Sequence, residues 1–187
     1  MLSDLLNKNK TAILQRWVRL IVDTYPTDTA RFLQREQDQF LNPVGYAIQQ
    51  ESETILDGLL RGVPIEDLAP AVDDIVKVRV VQDFAPSQAV AFVFLLKTAV
   101  REIVAAEKAV KPSQDEILDF ESRLDGLALL AFDVYMRRRE RIFEIRTKEI
   151  RGRADRILNR LGRIYGDVGE AEPDADEPGA GSPPPAR

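Results

Sequence analysis

The chain has 187 residues, 44% apolar and 30% charged, with a formal net charge of −5. That is material for one soluble domain with its core, and too polar for a membrane protein. The absence of Cys and His excludes disulfides, thiolate nucleophiles, Cys/His metal sites, histidine-dependent triads and a haem held by a proximal imidazole.

The charges are segregated. Residues 1–136 hold 14 Lys/Arg against 21 Asp/Glu, residues 137–166 hold 11 against 4, and residues 167–187 hold 1 against 6. The expected organisation is a helical body (1–136), a basic extension of its last helix (137–166) and a disordered acidic tail (167–187). That tail has five Pro, three Gly and no aromatic, so it cannot bury enough apolar surface to offset its ordering entropy. The opening MLSDLLNKNK lacks the basic start and apolar run of a secretory signal. The longest apolar run, Ala89 to Leu96, stops at Lys97, short of the roughly 20 residues needed to span a bilayer. The expected location is the cytoplasm, with no membrane span.

The predicted elements are all helical. The first helix runs from about Ser3, its N-cap, to Tyr25, with Leu6, Ile13, Trp17, Leu20 and Ile21 on one stripe. A short helix follows near Thr29–Asp38. Asn42 caps a third, with Pro43 at the favoured first position and Gly62 closing it. A fourth lies within Ile65–Phe84, with Pro70 in its first turn; its β-branched stretch Ile75–Val81 is the one place where a strand competes. A fifth opens at Pro86 and continues to about Val110. Ser113 with Glu116 fits a capping box, which opens a last helix running to about Tyr165.

A helix over 113–165 measures about 80 Å, against roughly 35–40 Å for a body of residues 1–136. Its first part reads as core, through Ile117, Leu124, Leu127, Ala128, Ala131, Phe132 and Tyr135. Its second part is therefore expected to extend out of the body. The alternative is that Gly152 breaks the helix and the terminal piece folds back, laying its arginines on the acidic body. Gly126 and Gly152 are equally candidate points of flexibility and packing glycines.

In the basic part, Phe143, Ile150, Ile157 and Ile164 recur every seven residues, with Thr147, Ala154 and Leu161 interposed. That is the spacing of a coiled-coil seam, which implies a helical partner such as a second copy of the chain. Arg146, Arg153 and Arg160 run beside it at the same spacing. The competing reading is nucleic-acid binding through Arg137–Arg163. Glu140, Glu144 and Glu149 interrupt that patch, and ion pairs along a solvated face explain it more simply. Membrane-surface binding is disfavoured because the apolar face is mostly Ile and Ala. The acidic tail is expected to compete weakly for the basic helix.

A carboxylate metal enzyme would need several of Glu51, Glu53, Asp57, Glu66, Asp67, Asp73 and Asp74 to face inward together. Glu53 and Asp57, with Arg61 four residues on, look instead like an exposed ion-paired helix face. An apolar ligand lined by Trp17, Phe92, Phe94 and Phe132 competes with ordinary core filling by those rings. No catalytic, cofactor-binding or metal-binding residue emerges.

FLNPVGYAIQQESETILDGLLRG (40–62), then RVVQDFAPSQAVAFVFLLKTAVRE (79–102), then the arginine-rich YMRRRERIFEIRTKEIRGR (135–153) resemble, as an ordered set, the RsbRD N-terminal domain family, over about residues 8–153. The resemblance implies a bacterial all-α sensory or regulatory module similar to the N-terminal domains of RsbT co-antagonists. Those domains have a non-haem, globin-like helical bundle, form dimers and perform no catalysis. It further implies a place in stress-response signal transduction. In that family a STAS domain often follows; here the expectation is a module acting without that output domain. Stand-alone members occur in anaerobic sulfur-metabolising bacteria.

Overall fold

Proline and asparagine punctuate a chain whose regular structure is helical throughout the residues described by the computed structural model, 2–36, 38–82, 84–107 and 111–166; of 164–166 the backbone alone is described. The helices are α1 (Leu2–Lys8), α2 (Lys10–Val22), α3 (Thr27–Arg35), α4 (Pro43–Leu60), α5 (Ala69–Val81), α6 (Pro86–Ala106) and α7 (Gln114–Gly166), with a 3-10 turn at Ile65–Leu68. The fold is all-α. Residues 167–187, expected to form an acidic tail, lie outside the described residues, as do 108–110, to which the fifth helix was expected to continue.

The expected first helix is two. At Asn9 the side-chain Nδ2 donates to the Leu5 carbonyl at 2.9 Å, offering the backbone an alternative to the helical ladder. Ser3 is not the N-cap either: the helix already includes Leu2, whose N–H donates to Glu116 Oε1 on α7 at 3.0 Å. A carboxylate distant in sequence thus takes the place of a local cap and meets the positive end of α1. The second helix, α3, starts and ends earlier than expected, because Pro26 precedes its first residue and Glu36 turns to extended backbone.

The other signals read directly into structure. Asn42 is buried; its Oδ1 accepts from Gly45 N at 2.8 Å and its Nδ2 donates to the carbonyls of Leu33 and Glu36. It therefore ties α4 to the end of α3. Gly62 leaves α4 at φ +73°, where a side chain would be strained. The stretch Ile75–Val81 is helical, with Ile75, Val76 and Val80 buried. The capping box is formed: Ser113 N–H donates to Glu116 Oε2 at 3.0 Å, and Glu116 N–H to Ser113 Oγ at 3.2 Å. Helix α7 continues through Gly152 without a break.

The chain divides into two units, Met1–Ile142 and Phe143–Arg187. The first contains one core. Trp17, Ile13 and Ile21 of α2, Ile48, Ile55 and Leu56 of α4, Phe92, Val93 and Leu96 of α6, and Leu124, Leu127 and Ala131 of α7 are all buried in it. Phe132, expected in that core, is 44% exposed, and Ile117 is half-buried against its edge.

Glu116 receives hydrogen bonds from the backbones of Leu2 and Ser113, and these hold its carboxyl down at about 2, against an ordinary 4.5. Its contribution is therefore complete above pH 4.5 and fades as pH falls towards 2. Glu116→Gln should lower the melting temperature at pH 7, and thermal melts should show the gap to wild type closing between pH 4.5 and 2.

Candidate functional site

In the second unit α7 presents its seam to solvent. Phe143 is 70% exposed, Ile150 68%, Ile157 59% and Leu161 43%. Ala154, Arg146, Arg153 and Arg160 are exposed and Thr147 is half-buried. Ile164 lies in the helix, but its side chain is outside the described residues. Among the described residues no ion pair engages Arg146, Arg153 or Arg160. The seven-residue spacing thus collects Phe143, Ile150 and Ile157, with Leu161 beside them, on one face of the helix, where all four are exposed. Gly152 and Gly162 have open space where a Cβ would project, so neither is required by packing.

The arginines at the start of the basic stretch are engaged in the first unit. Arg138 pairs bidentately with Asp73 on α5, its Nε 2.6 Å from Oδ1, and Arg139 Nη1 donates to the Tyr135 hydroxyl at 2.9 Å. Arg137, Arg138 and Arg141 line a depression of about 550 Å³ beside Asp73. Two other apolar side chains of α7, Leu129 and Met136, are 70% and 45% exposed; with Phe132 they share one face by their i, i+3, i+7 spacing. On α6, Lys97 bonds Asp125 and Arg101 bonds Glu121. One turn before Lys97, whose Nζ lies 5.8 Å from its ring centre, Phe94 is exposed as well.

Sequence reasoning missed the polar centre of the first unit. Arg79 is fully buried on α5. Its Nη1 donates to Gln88 O at 2.8 Å, and its Nη2 to Thr24 Oγ1 at 3.0 Å and Ile21 O at 3.5 Å. The guanidinium carbon lies 5.4, 5.0 and 5.9 Å from the ring centres of Tyr25, Phe84 and Phe92, within the range of cation–π attraction. No carboxylate among the described residues pairs with it. Burial pushes the Arg79 guanidinium below its ordinary pKa, with Tyr25 opposing; burial pushes the Tyr25 phenol up, with Arg79 opposing. Tyr135 donates its hydroxyl to Phe84 O at 3.0 Å, joining α7 to the cluster. The available signal was a charged residue on the apolar stripe Val72, Ile75, Val76, Val80.

Other candidates separate. Trp17 and Phe92 are buried and stacked, with Trp17 Nε1 donating to Phe92 O at 2.6 Å, whereas Phe94 and Phe132 are exposed, so the four rings enclose no common ligand. Glu53 and Asp57 both pair with Lys10 of α2, at 3.4 and 2.6 Å, and Arg61 Nε donates instead to the Asp57 carbonyl. Among the described residues no three carboxylates come together as metal ligands. Gly126 is a packing glycine: a Cβ there would stand 3.0 Å from Ile65 Cδ1. No described helix is long and apolar enough to cross a membrane.

The model of the RsbT co-antagonist protein rsbRD N-terminal domain matches residues 11–150. Over 106 residues the chain is 33% identical to an uncharacterized protein of Archaeoglobus fulgidus, an alignment covering 54% of this chain. The chain spans 66% of that relative's length. No solved structure matches.

Two substitutions probe this geometry. Arg79→Met keeps the volume but removes the hydrogen bonds to Gln88 O and Thr24 Oγ1 and the cation beside three rings, so denaturant unfolding should show a loss of about 1–3 kcal/mol; unchanged or increased stability would remove Arg79 as a clamp. Gly152→Ala should stabilise the helix of the second unit by about 1 kcal/mol, read as increased helical ellipticity on warming.

Proposed function

Since the chain belongs to the RsbT co-antagonist protein rsbRD N-terminal domain family, whose members are regulatory sensory domains, we propose that it is a non-catalytic signalling module that acts in the cytoplasm through helix-mediated protein contact. The observation that carries this reading is the exposed stripe Phe143, Ile150, Ile157 and Leu161. Large apolar side chains at the seven- and four-residue spacings of one helix face lose free energy by staying in water and regain it when a second helix covers them. Such a contact can report packing changes in the first unit, because both lie on one continuous helix.

Self-association is part of the proposal. The exposed Phe94, Leu129, Phe132 and Met136 supply the first unit with an apolar face for a second copy, and contiguous exposed apolar groups of this kind mark interaction sites. Leu129→Glu with Phe132→Glu changes only exposed positions. Light scattering should show a wild-type dimer becoming a monomer, and a dimer that persists in the double variant would place the interface elsewhere.

Photo-crosslinking in the source cell tests the module as a whole. A photoreactive residue at Phe143, Ile150 or Ile157 should give a discrete protein adduct that the same residue at Lys148 or Asp155 does not. Adducts of equal yield at all five positions, or at none, would refute the seam as the contact surface.

A further inference from the structure

We propose that the depression between α5 and α7 binds a small organic molecule through a phosphate group, and that Asp73 competes with this ligand for Arg138. The inference goes beyond the reading of the chain as a contact module and needs no partner helix. The depression measures about 550 Å³, within the range of roughly 300–1,000 Å³ in which small-molecule sites fall. All the residues that line it belong to the first unit. Pro70, which has no N–H, and Val134 contribute apolar lining. Its charged hydrogen-bond donors are the guanidiniums of Arg137, Arg138 and Arg141.

Those arginines crowd one helix. Arg137 and Arg141 are four residues apart and Arg138 and Arg141 three, the spacings at which side chains are neighbours and like charges destabilise a helix. The one carboxylate that lines the depression with them is already engaged: Asp73 is paired bidentately by Arg138, with Nε 2.6 Å from Oδ1. Asp74, next to it on α5, has Lys77 at 3.9 Å. Arg141 has a contact of its own, whereas Arg137 has no ion pair or hydrogen bond among the described residues. The lining thus sets three cations against one anion, and a second anion among them converts mutual repulsion into attraction.

The pair already made shows what the incoming group must be. A guanidinium fork takes a carboxylate or a phosphate, and within this fold the single carboxylate is supplied by Asp73. A phosphate monoester carries about −1.5 to −2 charges at neutral pH on three acceptor oxygens, which answers more than one guanidinium at once. Asp73 and such a ligand are acceptors for the same donors, so they exclude one another at Arg138, and occupation of the site loosens the tie between α5 and α7. The apolar lining gives an organic substituent a place. A nucleic-acid backbone, by contrast, offers its phosphates in an extended row and draws on a row of cations.

The test is isothermal titration calorimetry on the full chain with phenyl phosphate, against benzoate as the single-carboxylate control. Phenyl phosphate should bind at least about tenfold more tightly than benzoate. Arg137→Gln with Arg141→Gln, at two exposed positions, should weaken that binding at least about tenfold with an unchanged melting temperature. Asp73→Asn should tighten it by about threefold or more, because the competing charge is gone; a purely structural ion pair predicts no gain. The arginine double variant keeps the site testable even if Asp73→Asn unfolds. Benzoate binding as tightly as phenyl phosphate, or an affinity indifferent to both arginines, overturns the site. So does the absence of saturable binding up to about 10 mM. Weaker binding in a folded Asp73→Asn overturns the competition. Vesicles containing phosphatidic acid and a short DNA duplex complete the test: arginine-dependent binding to either, without binding of phenyl phosphate, would give the arginines to a lipid surface or to nucleic acid and overturn the soluble ligand.

Discussion

A guanidinium with no carboxylate partner among the described residues holds the first unit together. Arg79 reaches from α5 to the carboxyl-terminal end of α2, through Ile21 O and Thr24 Oγ1, and to the first turn of α6, through Gln88 O. The carbonyls at the end of α2 carry the negative end of its dipole, so the cation sits where the backbone itself supplies opposing charge. Tyr25, Phe84 and Phe92 add three ring faces. A buried cation is costly unless it is solvated by the protein, and a lysine could not divide itself among three directions as the planar fork does. The loop between α5 and α6 has its place because Phe84 lies on this group and gives its carbonyl to Tyr135.

That arrangement explains why α7 has two characters. Up to Tyr135 it closes the core, burying Leu124, Leu127, Ala131 and Tyr135, and charge pairs lock its outer edges: Glu121 to Arg101, Asp125 to Lys97, and Arg138 to Asp73. From Phe143 onward the same helix has neither core contacts nor ion pairs to Arg146, Arg153 or Arg160 among the described residues. Helices draw most of their stability from packing of an apolar face. A helix whose apolar face is exposed in this way is a half-made interaction.

Local chemistry was legible in the sequence. Asn42–Pro43, Gly62, Pro86 and the Ser113/Glu116 box mark helix ends because each solves a problem of unsatisfied backbone groups within a few residues, and the structure uses each as read. The unbroken α7 and the seven-residue stripe were legible for a related reason: periodicity is a property of one helix alone. What escaped depends on residues brought together from afar. The capping of α1 by Glu116, 114 positions away, left no trace near Ser3. Lys10, not Arg61, answers Glu53 and Asp57 because α2 lies against α4. Phe132 looked like core because spacing cannot say how wide a buried stripe is. Arg79 was visible as a charge on an apolar face, but its hydrogen-bond partners lie on two other helices.

Amide hydrogen exchange on the full chain, followed segment by segment, tests most directly the claim that the terminal half of α7 is a helix awaiting its partner. In the free protein the amides of residues 143–163 should exchange far faster than those of α2, α4 and α6, because only local hydrogen bonds protect them. Protection over 143–163 equal to that of the core helices in the free protein would mean that the face is already covered, and would contradict the account.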